Sequence, residues 1–390
     1  MEIVNKLLRR GALIPNPTGI EIGPEVDIDR ISGEGVVIHT GCRIFGERTL
    51  ILPGARLGFE APVTVENCLV GPGVELKGGY FSGAVFLEKA CCGLGAHVRE
   101  GTIMEEQASI AHTVGLKQTI LFPFVTLGSL INFCDCLMAG GTDRRNHSEV
   151  GSSYIHFNFT PNQDKATPSL IGDVSRGVML NQRPIFLGGQ GGMVGPVRLE
   201  YGVTIAAGTI LRKDELRPDR LIFGGAGKGG NVAFRPGKYS GASRIIRNNL
   251  VYVANLLALR QWYHEVRSLF FSEKYPEPLH AGTLDNLDQA LDERVRRLKE
   301  LAEKLAESGD PKLHERWPVI EEILGAQREN TGDDRLRESF LEKAASVISR
   351  SGKDYITVIK ALSPEEARQG TAWLQEIVDE ATAAALKAIE

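Results

Sequence analysis

Apolar residues recur at every sixth position through much of the first part of the chain. From Ala96 to Gly128 the interval holds without a gap: Val98, Met104, Ile110, Leu116 and Phe122 are spaced by six, and two places before them stand Ala96, Thr102, Ala108, Val114 and Ile120. A second stretch runs through Leu187, Met193, Leu199, Ile205 and Leu211, and shorter pieces lie at 20–28 and 36–44. Simple strand alternation has a period of two and does not favour six, whereas self-similarity at a fixed period marks a solenoid. Each hexad would form one flat side of a triangular coil, with its apolar residue inward and the residue two places earlier near a corner. Three hexads, 18 residues, close one coil. Residues 16–222 would then wind roughly ten coils of a left-handed parallel β-helix.

The pattern changes near residue 241. Leu284, Leu287, Leu291, Val295, Leu298, Leu301 and Leu305 follow three/four spacing with charges between them, which predicts an amphipathic helix. Thr283 or Asp285 would cap its start. Stretches 245–271, 333–350 and 364–389 also read as helices. Of 44 glycines, 37 precede residue 241, and all three tryptophans follow it, which sets the boundary. The fold expected is therefore mainly β: a lead-in at 1–15, the left-handed β-helix at 16–222, a linker or wrapping loop at 223–242, and an α-helical C-terminal domain at 243–390. The helices are expected to cap the open end of the solenoid and help subunits assemble.

Composition narrows the function classes. The formal charge of −4 provides no basic field for nucleic acid. No apolar run reaches the ~20 residues of a membrane span, and the first ten residues lack a signal-peptide core. The six cysteines show no zinc-type or thioredoxin-type spacing, so a reduced, cytoplasmic protein is expected. The eight histidines contain no pair five apart, against a metal-dependent hexapeptide enzyme of the gamma carbonic anhydrase kind; no metal is expected.

The repeat places one cation pair together. Arg99 and Lys117 are 18 residues apart, so they occupy the same hexad position one coil apart, about one strand spacing (~4.8 Å). A phosphate between them would relieve their repulsion and gain charge-assisted hydrogen bonds. Alternatively they are two solvated charges with Glu100, Glu105 and Glu106 as counterions.

The segment GAHVREGTIMEEQASIAHTVGLKQTIL resembles the acetyltransferase half of the bifunctional N-acetylglucosamine-1-phosphate uridyltransferase/glucosamine-1-phosphate acetyltransferase family. That resemblance implies that Arg99 and Lys117 bind a sugar phosphate. FLGGQGGMVGPVRLEYGVTIAAGTILRKD, at 186–214, resembles the family's coenzyme A-binding coils and puts Gly189 and Ala207 on positions whose backbone meets acetyl-CoA or another acyl-CoA. YIHFNFTPNQDKATPSLIGD puts Asn158 and Phe159 on substrate-contacting positions, with Lys165 one residue out of register with a substrate lysine. The resemblance covers about residues 60–225. As a whole the sequence is also similar to proteins described as UDP-N-acetylglucosamine pyrophosphorylase-related.

The match fails where the family keeps its catalytic histidine. That position is Ser129, and the tyrosine three places on is Asn132. A serine is no general base at neutral pH without help. His147 and His156, brought close by an insertion, are the replacements expected from sequence, since imidazole titrates in the right range. Asp143, Arg144, Arg145 and His147 form a further polar cluster. The uridyltransferase half has no counterpart: residues 1–60 carry no nucleotide loop, and GGAGKGG at 224–230 lacks the Ser/Thr of a P-loop, leaving Lys228 as a contact for a cofactor phosphate. The expected function is acyltransferase-like, on a small-molecule sugar phosphate or nucleotide sugar, in a homotrimer without nucleic-acid or membrane partners. The alternative is a non-catalytic nucleotide-sugar-binding or scaffold protein.

Overall fold

The computed structural model describes residues 2–157, 165–224 and 241–390. Strands, mostly of two to four residues, wind into a parallel β-solenoid of about 11 turns, followed by a helical region. A first face runs from Val37–Ile38 to Leu221–Ile222, a second from Glu21–Ile22 to Ile210–Leu211, and a third from Leu50–Ile51 to Arg198–Leu199. Two eight-residue strands, Val114–Leu121 and Ile131–Met138, pass from the second face to the third.

Coil length is less regular than the sequence suggests. Phe86 faces Met104 and Leu187 faces Ile205, 18 residues on, but Met104 faces Leu121, 17 residues on, instead of Phe122. Lys117 and Gln118 turn the corner that takes Arg99, Glu100 and Gly101 in the preceding coil. Gln118 adopts the left-handed conformation (φ +50°), as Gly101 does (φ +71°), and one residue is saved. Phe122 slips one place yet stays buried. An antiparallel hairpin, Gly141–Asp143 with Asn146–His147, leaves the corner between the third and first faces.

Eight α-helices are described: α1 (Glu2–Arg9), α2 (Val174–Gly177), α3 (Ala242–Gln261), α4 (Glu277–Glu307), α5 (Lys312–Ala326), α6 (Asp334–Ser351), α7 (Tyr355–Lys360) and α8 (Pro364–Ile389). α4 begins at Glu277, so Thr283 lies inside it, its Oγ1 donating to the Leu279 carbonyl at 2.7 Å. The Ser363 hydroxyl and Glu366 carboxylate form a capping box at the start of α8.

The C-terminal helices dock on the solenoid's flank instead of its end: α3 and α4 lie along the third face. There the inward–outward alternation of burial disappears. The outward positions Leu50, Leu69, Val85, Ile103, Ile120, Leu137 and Leu170 form one continuous register column, and all are buried. Each apolar side chain so covered contributes about 1.5–3 kcal/mol, an upper estimate, and this column is the physical reason for flank docking.

Polar contacts fix the position. Arg48 reaches Asp285 at 3.4 Å, Asn286 Nδ2 donates to the Gly83 carbonyl at 3.0 Å, and Arg294 meets Asp135 at 2.8 Å, all from α4. From α3, Asn249 donates to the Ala166 carbonyl at 2.9 Å and Asn255 accepts from the Val174 N–H at 2.9 Å. Among the described residues no helix is long and apolar enough to cross a membrane.

Candidate functional site

The second face carries the sequence-predicted cations on one edge. Val98 pairs with Leu116 across adjacent coils, and the Arg99 N–H donates to the Leu116 carbonyl at 3.0 Å. Arg99 and Lys117, each next in the chain, are therefore stacked. Lys117 in turn pairs with Cys134. The Lys117 ammonium lies 2.8 Å from Glu100, whereas Arg99 is exposed and has no carboxylate within 4.0 Å among the described residues. Burial alone would raise the Glu100 carboxyl. The Lys117 hydrogen bond and the charges of Lys117 and Arg99 outweigh it and hold Glu100 below its ordinary range. The Cys134 thiol is pushed up to about 11, by burial first and then by Asp135, which keeps it un-ionised at neutral pH.

Glu105 and Glu106 are not counterions to this pair. They are buried at the corner between the third and first faces, where Glu105 accepts from the Tyr263 hydroxyl at 2.6 Å and Glu106 pairs with Arg267.

Asn132 lies near the middle of the same face, exposed, with Gly115 and Ile155 as strand neighbours; its Oδ1 is 3.1 Å from the Cys134 thiol. The opposite edge is a ladder of small residues. The Ser129 N–H donates to Ser152 Oγ at 3.2 Å, and Ser153 N–H returns to the Ser129 carbonyl at 2.8 Å. Gln190 N–H donates to the Ser152 carbonyl at 2.8 Å, and Gly208 N–H to the Gly189 carbonyl at 3.0 Å. Ser129, Ser152, Gly189 and Ala207 thus stand close together on successive coils. A Cβ on Gly189 would come within 2.9 Å of the Ser152 carbonyl, so the close stacking requires glycine there.

From Ser129 to Cys134 is five residues, at most about 17 Å of extended strand. The anion ledge and the small-residue ledge therefore frame a single flat surface.

Neither histidine presents its ring on this surface: His156 is in the second-face strand Ile155–Phe157 but points inward, and His147 lies off the face. His156 is buried, and its Nε2 lies 2.8 Å from Ser169 Oγ. Burial drives its pKa down to about 4, so the ring is neutral at pH 7. His147 is on the hairpin at the corner between the third and first faces, 3.9 Å from Glu149. Arg144 is fully engaged as a clip, donating to the carbonyls of Gln107 (3.0 Å) and Phe124 (2.8 Å) and to Thr126 Oγ1 (2.9 Å). Lys165 is exposed. Asn158, Phe159 and Lys228 lie outside the described residues. Among those described, no group of three or more His, Cys, Asp or Glu is arranged to hold a metal ion.

Comparison with known proteins agrees with the repeat. The chain is 25% identical over 219 residues to the "Bifunctional protein GlmU" of Trichlorobacter lovleyi, covering 56% of this chain and 42% of that protein. It is 26% identical over 224 residues to the "Bifunctional protein GlmU" of Thermotoga petrophila, covering 55% and 42%. The chain fits the hexapeptide-repeat acyltransferase family. It spans about two fifths of the length of these curated relatives. No protein-family model matches it. A solved structure, "UDP-N-acetylglucosamine acyltransferase from Campylobacter jejuni", aligns at 14% identity over 55% of this chain and 70% of that one, with a TM-score of 0.17 too low to argue from.

What sequence reasoning missed is Asp135 and Arg294. Asp135 turns the corner beside Cys134 in the left-handed conformation (φ +57°), and Arg294 from α4, 2% exposed, reaches it. The two family-like ledges thus share a coil with an ion pair to a buried arginine contributed by the helical region. The sequence offered one signal: an arginine at the helical-face position between Leu291 and Leu298.

Proposed function

We propose that the second face binds a sugar phosphate or nucleotide sugar for an acyltransferase-like reaction. One observation carries this reading: Arg99 and Lys117 are stacked on adjacent rungs, and among the described residues only Lys117 of the two has a carboxylate, Glu100, within 4.0 Å. A phosphate oxygen accepting from both cations would remove their repulsion and add charge-assisted hydrogen bonds, each worth about 1.5–3 kcal/mol. Asn132 would then reach a sugar hydroxyl from mid-face.

The ledge of Ser129, Ser152, Gly189 and Ala207 suits a thin extended chain such as the pantetheine arm of an acyl-CoA, which when bound would supply a thioester. Backbone amides at the coil corners would polarise its carbonyl. In a homotrimer the contacts would fall on the first and second faces, because the chain's own helices already cover the third.

A specific observation favours a second reading, binding without turnover. Ser129 replaces the family's histidine, and the His156 ring is directed into the solenoid against Ser169. Incubating the protein with acetyl-CoA and a hexosamine phosphate, while following free thiol release and sugar binding together, separates the two. Thiol release that vanishes in Arg99→Ala/Lys117→Ala supports transfer; sugar binding without release supports the second reading; neither signal removes both.

A further inference from the structure

The outward column of the third face is apolar for seven strands and ends in Arg198, which pairs with Leu170. At that point α3, α8 and the solenoid line an open cleft of about 430 Å³, within the size range of small-molecule sites. Leu170, Val251, Val378 and Leu386 supply an apolar wall, and Arg198 and Arg247 supply positive charge.

Among the described residues the other charged groups there are paired except Asp379, which has no cation within 4.0 Å. Arg176 is neutralised by Asp173 and by Glu200 at 2.8 Å. Asp379 accepts from Gln375 Nε2 at 2.9 Å. Asp214, just outside, accepts from Asn248 Nδ2 at 3.0 Å and lies 3.7 Å from Arg244. Among the described residues neither Arg198 nor Arg247 has a carboxylate oxygen within 4.0 Å of its guanidinium.

Two buried polar atoms in the lining, Arg198 Nε and Thr382 Oγ1, lack any hydrogen-bond partner among the described residues. Such atoms are costly unless something completes them. Burial pushes the Arg198 guanidinium below its ordinary range, and the charge of Arg247 adds to this against the pull of Asp214. An anion between the two arginines would relieve both effects.

We propose that this cleft binds a small amphipathic carboxylate. Its head lies between Arg198 and Arg247 with the Thr382 hydroxyl as a third contact, and its hydrocarbon part lies along Leu170, Val251, Val378 and Leu386. The site is separate from the Arg99–Lys117 face and does not depend on the reading given for it.

Calorimetric titration of the full chain with butyrate, hexanoate, octanoate, octanol and inorganic phosphate tests this. Each added methylene should tighten carboxylate binding about fourfold, and octanol should bind at least tenfold more weakly than octanoate. Arg198→Gln/Arg247→Gln should weaken octanoate at least tenfold. Ala383→Trp, an exposed position lining the cleft, should abolish binding while leaving both arginines in place, and it decides the matter if the arginine variant does not fold. Arg99→Ala/Lys117→Ala should bind octanoate as wild type does. The proposal is overturned if octanoate does not bind, if octanol or phosphate binds as tightly, or if Ala383→Trp binds normally.

Discussion

Replacing Glu105 with glutamine should remove a pH dependence built into the junction between solenoid and helices. Glu105 and Glu106 are both buried there, yet a single guanidinium, Arg267, serves them; Arg267 is itself 1% exposed and stacked 3.7 Å from the Tyr355 ring centroid. Burial pushes the Glu105 carboxyl up to about 7. The negative charge of Glu106 adds to that rise, against the attraction of Arg267 and the Tyr263 hydrogen bond. The unfolded chain returns the group to its ordinary value of 4.5. The folded protein therefore holds the proton more tightly. The resulting stabilisation is fully present below about pH 4.5 and is lost as pH rises through about 7. At about 1.4 kcal/mol per tenfold change in proton affinity, the loss is up to about 3 kcal/mol.

Glutamine cannot ionise but still offers Tyr263 a carbonyl acceptor. Urea unfolding of wild type and Glu105→Gln at pH 5, 6, 7 and 8, followed by tryptophan fluorescence, measures the difference. Trp262 is a suitable reporter, since its Nε1 donates to the Tyr355 hydroxyl at 3.0 Å beside Arg267. Burial lowers His156 and His280 to about 4, which weakens the fold as pH falls below 6.5, but that dependence is shared by both proteins and cancels. The variant should exceed wild type by only about 1 kcal/mol at pH 5 and by up to about 3 kcal/mol at pH 8. A difference that does not change with pH refutes the reasoning.

Three further outcomes follow from packing. Arg294→Met leaves the half-buried Asp135 without its ion partner and should cost about 1–3 kcal/mol by urea titration; Asp135→Asn combined with it should restore part of the loss. Gly188→Ala puts a Cβ within 2.3 Å of the Ala207 backbone nitrogen and 2.6 Å of the Ile205 carbonyl, so it should destabilise the solenoid by at least about 2 kcal/mol, seen as a lower melting temperature. Leu130 is 54% exposed in the left-handed conformation (φ +61°), and Leu130→Asn should raise stability by about 1 kcal/mol in the same assay.

The solenoid was legible because each coil repeats the same inward demand, written in residues such as Val98, Leu116, Leu187 and Ile205. Hexad counting placed Arg99 beside Lys117 because no irregularity falls between Val98 and Leu116. It misplaced Phe122 because a corner can be turned in two residues or three, which depends on whether Gln118 accepts a positive φ. The docking of the helices was also written in the chain, as adjacent apolar pairs at Leu69–Val70, Val85–Phe86, Ile103–Met104, Ile120–Leu121 and Leu137–Met138. Inward positions alone do not explain the second member of each pair; a covered outer face does. The direction of His156 was not legible, because its inward position follows from strand register after an insertion of uncertain pairing.

Arg99 and Lys117 are proposed to form one anion-holding ledge on the second face. Calorimetric titration of wild type with glucosamine 1-phosphate, beside Arg99→Ala, Lys117→Ala and the double variant, tests it most directly. Saturable binding weakened about tenfold or more by each single change, and over a hundredfold by the pair, is the predicted result. Binding that the double variant retains unchanged, or no binding by wild type, contradicts it.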